Sequence, residues 1–138
     1  MRIPIWAYRL GAGALFGERL IMLQHIGRKT GNRRYVVLEV IGHPTPQTYL
    51  VASGFGEKAQ WFRNVSASPR AWVYVSGRSP VAASARILPR HEADHALGDY
   101  IKRHPRAWAR FRPVLEHTLG CPIAETNTAL PIVEFRLD

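Results

Sequence analysis

Apolar and polar positions follow two different rhythms along this chain. Near the N-terminus, Ile3, Trp6, Ala7, Leu10 and Ala14 recur at helical spacing, the mark of a helix with one buried stripe. Pro4 falls near its first turn, and Gly11, Gly13 and Gly17 weaken its end. Residues 3–16 are therefore read as a helix packed on the body of the domain, or alternatively as an interfacial helix touching anionic lipid. From Arg19 onward the rhythm shortens. Arg19–His25 carries Leu20, Ile21, Met22 and Leu23, Tyr35–Ile41 is rich in β-branched residues, and Thr48–Ser53 follows; each predicts a strand. His43–Gln47, with two prolines, reads as a loop. Lys58–Val65 predicts a short helix, broken by Ser66–Arg70. Ala71–Ser76 and Pro80–Leu88 flank a turn at Gly77–Ser79 and predict a hairpin, with Pro80 placing the start of its second strand at a sheet edge. Residues 91–119 are mostly helical in pattern, interrupted at His104–Pro105, with His91, Glu92 and Asp94 in the first turns. Cys121–Ala129 is irregular. Pro131–Leu137 alternates Ile132, Glu134 and Arg136 against Val133, Phe135 and Leu137, as a half-buried terminal strand does.

Successive strands, one inserted helix and a helical segment before the last strand predict a small α+β barrel. A length of 138 residues fits one domain with one real core. Residues 1–18 form an N-terminal helix of that domain and residues 19–138 its barrel. Apolar residues at 46% and charged residues at 21% exclude wholesale disorder and a fibrous protein. A single cysteine, Cys121, rules out an intramolecular disulfide. No apolar run is long enough to span a bilayer. Arg9 interrupts the N-terminal apolar stretch and Glu18 and Arg19 follow it, so it is read as mature protein rather than as a signal peptide. The expected location is cytoplasmic, with residues 3–16 as the segment that would meet the inner membrane surface. A formal charge of +9 favours anionic partners: a phosphorylated cofactor, nucleic acid or an acidic membrane.

Two segments carry candidate chemistry. In Gly27-Arg28-Lys29-Thr30-Gly31-Asn32-Arg33-Arg34, two glycines frame a tight turn whose N–H groups can face an anion, and four cations surround it. Arg can fork onto a phosphate while Lys acts as a mobile point charge. A solvated basic hairpin turn accounts for the same residues, and the order of residues is not that of a Walker loop. In Val51-Ala52-Ser53-Gly54-Phe55-Gly56-Glu57-Lys58, small residues end a strand and let a flat ring approach the backbone. The helix start that follows favours an anion. Trp61 adds apolar bulk and Asn64 an amide that can fix a loop or a ligand. A plain strand-to-helix turn with Trp61 in the core is the competing reading.

Together these segments resemble the deazaflavin-dependent nitroreductase family of F420-dependent quinone and nitro reductases. The matching residues are Gly27-Arg28-Lys29-Thr30-Gly31 with Arg34, the strand Tyr35–Ile41, the strand end Val51-Ala52-Ser53-Gly54, the helix Trp61–Asn64, Ser68-Pro69-Arg70 before Ala71–Val75, and Leu130-Pro131-Ile132-Val133. The resemblance runs from about residue 20 to the C-terminus. It implies a split β-barrel like that of flavin-binding reductases. It also implies that Arg28, Lys29, Thr30 and Arg34 hold the phosphate and acidic tail of coenzyme F420. Val36 and Val37 would line the cofactor, Ala52, Ser53 and Gly54 would contact the deazaflavin ring and its attached chain, and Gln60, Trp61 and Asn64 would close the site. The chain departs from the family where Arg33 replaces a frequent proline and where Gly54-Phe55-Gly56 replaces Lys-Gly-Gly. It also lacks the tyrosines that nitroreductase-like members place before the last strand.

The implied function is hydride transfer from reduced F420 to a small-molecule electron acceptor that is quinone-like, nitro or conjugated and unsaturated. The cofactor supplies the hydride chemistry and the protein supplies orientation. Tyr100 and His104 are the candidate proton donors, and Trp108 and Phe111 the candidate acceptor pocket. Three alternatives stay open: flavin mononucleotide as the cofactor, an F420 carrier or storage protein without catalysis, and a nucleic-acid-binding domain built on Lys102, Arg103, Arg106, Arg110 and Arg112. Nucleic acid is not the expected partner, no metal site is expected, and the chain is read as a monomer or homodimer.

Overall fold

The computed structural model describes residues 20–75 and 79–138. The N-terminal helix expected at 3–16 and most of the turn expected at 77–79 lie outside the described residues. The strands are β1 (Leu20–Ile26), β2 (Arg33–Thr45), β3 (Thr48–Ala52), β4 (Arg70–Val75), β5 (Val81–Ile87) and β6 (Ile132–Leu137). They close into one antiparallel barrel in the order β1-β2-β3-β6-β5-β4, with β4 returning to β1. A 3-10 turn at Gly56–Lys58 leads into helix α1 (Gln60–Ala67), and α2 (Arg90–Arg103) and α3 (Pro105–Leu119) precede β6.

The alternating side chains of the strands feed two cores. Ile21 and Leu23 of β1, Leu38 and Val40 of β2, Val51, Val73, Val133 and Phe135 fill the barrel, and α1 seals it with Trp61, Phe62 and Val65. The opposite face packs under the long helices. Ile41 and Ile132 join Leu97, Tyr100, Trp108, Phe111 and Leu115 in a second core. Ile132 and Val133 are both fully buried although they face opposite ways, because β6 has the barrel on one side and the helices on the other. The expected half-buried terminal strand is thus buried on both faces at its start.

One local expectation is corrected. The loop expected at His43–Gln47 is mostly strand: β2 runs through Pro44 to Thr45, with register shifts between Val40 and Gly42 and between Gly42 and Thr45. Irregular pairing tolerates a residue that has no N–H to donate. Pro80 lies just outside its strand: it precedes β5, whose first residues Val81 and Ala82 register only with β4, the register with β6 beginning at Ala83. The interruption at His104–Pro105 falls where expected, and Pro105 opens α3 at a position whose N–H needs no intrahelical partner.

Asp94 ties α2 to the irregular segment before β6. Its carboxylate accepts the backbone N–H groups of Asn127 at 2.6 Å and Thr128 at 2.8 Å. Those bonds, that from Thr128 first, hold the carboxyl below its usual range.

Candidate functional site: a cavity between the barrel wall and the last helix

A cavity of about 1030 Å³ runs from the β1–β2 turn along the outer wall of the barrel to α3. That is the upper end of the range for small-molecule and cofactor sites. Met22 of β1 and Tyr35, Val37, Glu39 and Ile41 of β2 line it. They occupy the outward phase of strands whose inward phase is the barrel core. Phe111, Val114, Leu115 and Thr118 of α3 form the facing wall, and Ala52, Gly54 and Phe55 lie between. Gly54 is small for a packing reason. A Cβ there would sit 2.9 Å from Leu115 Cδ2, and the Thr118 hydroxyl donates to the Gly54 carbonyl. The residue lets α3 approach the loop closely.

The other end of the cavity is cationic. Arg28, Lys29, Arg33 and Arg34 line it with Thr30, on a turn closed by Gly27 N–H to the Asn32 carbonyl and Gly31 N–H to the Gly27 carbonyl, both 2.8 Å. Gly31 sits at φ 74°, a left-handed conformation that favours glycine. The Thr30 hydroxyl accepts the Asn32 N–H at 3.1 Å and so shapes the turn as well as facing the cavity.

Three side chains fix this turn to α1. The Asn64 Oδ1 accepts the Arg28 backbone N–H at 3.1 Å and its Nη1 at 2.9 Å, and Gln60 Oε1 accepts Nη1 at 2.9 Å. On the other side, Asn64 Nδ2 lies 2.9 Å from His25 Nδ1. Asn64 and His25 are buried, at 3% and 4% exposure. Burial pushes the His25 pKa from 6.5 down to about 4, and the Arg34 guanidinium on the paired strand adds to the shift. His25 is therefore neutral at ordinary pH.

The cavity brings together Arg28, Lys29, Thr30, Arg34, Val36, Val37, Ala52, Gly54, Gln60, Trp61, Asn64 and Phe111. Trp61 contributes one margin only, since it is 7% exposed and its ring packs on Phe62 and Phe135 in the barrel. Ser53 is not part of the lining. It is 1% exposed, its Oγ donates to the Gly56 carbonyl at 2.6 Å and its N–H to the Pro131 carbonyl at 2.9 Å, so it folds the loop instead of facing a ring. Tyr100, His104 and Trp108 also lie off the described lining. Tyr100 and Trp108 are in the second core. His104 joins α2 to α3 with its ring 5.2 Å from that of Tyr100.

Sequence reasoning missed His25 and Met22, and within the strand Tyr35–Ile41 it singled out Val36 and Val37 rather than Tyr35 and Glu39, which also line the cavity. His25 had a signal: it continues the inward phase of Ile21 and Leu23, where a polar side chain needs a buried partner. Glu39 and Tyr35 share the phase of Val37. Among the described residues no group of His, Cys, Asp and Glu is arranged to hold a metal ion, and no helix is long and apolar enough to cross a membrane.

The fold is similar to that of an F420-H2 dependent reductase, at 21% identity over 86% of this chain and 95% of that one, with a TM-score of 0.59. It is also similar to a FAD-binding protein from Mesorhizobium loti, at 15% identity over 99% and 91% of the chains and a TM-score of 0.55. The heme storage protein HutZ from Vibrio cholerae matches at 11% identity over 100% and 92%, with a TM-score of 0.54. These likenesses establish the split-barrel fold. No curated protein matches the chain. The family model for F420H2-dependent quinone reductase matches residues 1–116, a span that holds the basic turn, the small-residue strand end and most of the cavity wall. The chain therefore belongs to the F420H2-dependent quinone reductase family, a family of oxidoreductase enzymes.

Proposed function

We propose that this cavity binds coenzyme F420 and that the chain reduces a quinone-like, nitro or conjugated unsaturated acceptor on its apolar side. One observation carries the reading. A single cavity joins a four-cation end to an apolar wall, matching a cofactor with a flat ring and an anionic tail. The residues present fit the group: Arg28, Lys29 and Arg34 suit phosphate and carboxylate oxygens. Val37, Ala52, Phe111 and Leu115 offer surfaces for a ring.

When bound in its reduced form, F420 supplies a hydride from its central ring. The protein's part is to hold, orient and exclude water. The wall of α3 shields the cavity, and exposed Phe55 and Val114 at 47% and 39% extend an apolar surface for the acceptor. Because Tyr100 and His104 lie off the lining, proton exchange with the reduced acceptor is assigned instead to Tyr35 and Glu39 on β2. Glu39→Gln and Tyr35→Phe test that assignment. A pH–rate profile unchanged in both variants rejects it.

The cofactor reading is tested by titrating the chain with F420 and with flavin mononucleotide, followed by fluorescence, in the parent and in an Arg28→Ala, Lys29→Ala double variant. Saturable F420 binding that is tighter than flavin binding, and weakened by the double substitution, is expected. Preference for flavin mononucleotide rejects F420 as the cofactor. Tight F420 binding with no turnover of a quinone, nitro and enone panel favours a carrier over a reductase.

A further inference from the structure

The amide of Asn64 has only one workable orientation. Its Oδ1 faces two donors of Arg28, the backbone N–H and Nη1. Turning the amide over would set its NH2 against both. Nδ2 therefore points at His25 Nδ1, and a donor there requires a lone pair on that nitrogen. The His25 ring must carry its proton on Nε2. Along the chain His25–Asn64–Arg28, the donor and acceptor of each of these bonds are fixed.

The consequence falls on the guanidinium. Nη1 has two hydrogens, and the two contacts at 2.9 Å to Gln60 Oε1 and Asn64 Oδ1 account for both. Among the described residues no hydrogen bond engages Nε or Nη2. The edge left over is the side-on pair Nε–H and Nη2–H, two parallel donors that match two oxygens of one anionic group. An arginine held this way loses little further side-chain freedom on binding.

We propose that His25, as its Nε2–H tautomer, is a positioning residue that acts through Asn64 to turn the Nε–Nη2 edge of Arg28 toward a two-oxygen anionic group in the cavity. His25 and Asn64 act on that group through Arg28: both acceptor positions of the Asn64 Oδ1 and one Nδ2–H are taken by protein. That the group belongs to F420, as phosphodiester or carboxylate, rests on the function proposed above. The positioning does not.

The test uses the chain without cofactor, so that it stands apart from the F420 titration. Nitrogen-15 spectra of the His25 ring are expected to show Nδ1 unprotonated at pH 7. The Arg28 Nε–H resonance is expected to shift saturably with inorganic phosphate, with acetate or with both, and the better of the two identifies phosphate or carboxylate as the preferred oxygen pair. His25→Leu removes the acceptor and is expected to weaken binding of that anion about tenfold, the scale of one lost neutral hydrogen bond. His25→Asn, whose Oδ1 can stand near the Nδ1 position, is expected to restore most of it. Arg28→Lys is expected to behave like Arg28→Ala, because a point charge has no edge to present. A protonated Nδ1, or a folded His25→Leu protein with unchanged anion affinity, overturns the proposal. If His25→Leu does not fold, the tautomer and the His25→Asn affinity still decide: loss of binding in folded His25→Asn also overturns it. Anion binding that meets these expectations while F420 fails to bind supports the positioning and rejects the cofactor.

Discussion

His25 makes the stability of this protein depend on acidity in a defined window. Its pKa falls from 6.5 in the free side chain to about 4 in the fold, so between those values the unfolded chain binds a proton that the folded one refuses. Stability then rises with pH. The His25 contribution is complete above about pH 6.5, shrinks as pH falls toward 4, and is gone below. Urea denaturation at intervals from pH 4 to 8 is expected to show this loss, and His25→Asn to lack it. A parent and variant with parallel profiles would count against the burial argument. Asp94, Glu92 and Asp138 also have carboxyls held below their usual range, so their contributions start to fall only below about pH 5, and the interval above that, up to 6.5, reports His25. At Gly54, the close approach of Leu115 predicts that Gly54→Ala costs about 1 kcal/mol, the low end of the penalty for an overfilled contact, because the atom it meets is the movable end of the Leu115 side chain. The cost is expected to shrink in a Leu115→Ala background, and additive penalties in that double-mutant cycle would remove the explanation.

At the scale of elements, α3 is the wall that makes the cavity, and it is joined to the small-residue loop by Thr118. Thr118→Val leaves the Gly54 carbonyl without that donor. The expected cost is about 1 kcal/mol, with faster amide exchange at residues 52–56 than in the parent. Unchanged exchange would show that packing alone holds the wall. Much of this architecture was legible in the sequence. Period-two runs such as Tyr35–Ile41 announce strands, and the break at His104–Pro105 announces two helices. What was not legible has physical causes. Pro44 sits in a strand because the pairing around Gly42 is irregular, and an irregular ladder leaves no periodic trace. The basic turn and Ala52 stand out in the sequence by their composition, and both line the cavity. Tyr100 and Trp108 lie in the second core and off the cavity lining, a placement the sequence does not show because a helical stripe gives the phase of a side chain but not its neighbour. The stripe that begins at Trp108 reaches the cavity only from Phe111 onward. His25 was missed because its meaning depends on Asn64, distant in sequence and brought beside it only by closure of the barrel.

For the molecule as a whole, one sheet serves two cores, and the candidate site lies where its outer face is left open between the basic turn and α3. The formal charge of +9 is not spread evenly in its effect. Arg70 and Arg86 are paired with Asp138 and with Glu92 and Glu134, whereas Lys29, Arg33 and Arg34 line the cavity beside Arg28. The same short helix that corks the barrel with Trp61, Phe62 and Val65 also grips Arg28 through Gln60 and Asn64. Occupancy of the cationic end should therefore brace the cork. Coenzyme at about a hundred times its dissociation constant would raise stability by about 2.7 kcal/mol, read as a higher melting temperature in the parent and a smaller rise in Asn64→Leu. An equal rise in both would disconnect the cork from the site. Such a coupling reaches into protein turnover. Chains made while coenzyme is scarce stand nearer the threshold at which cellular proteases act, so the supply of the small molecule would set how much of the enzyme persists.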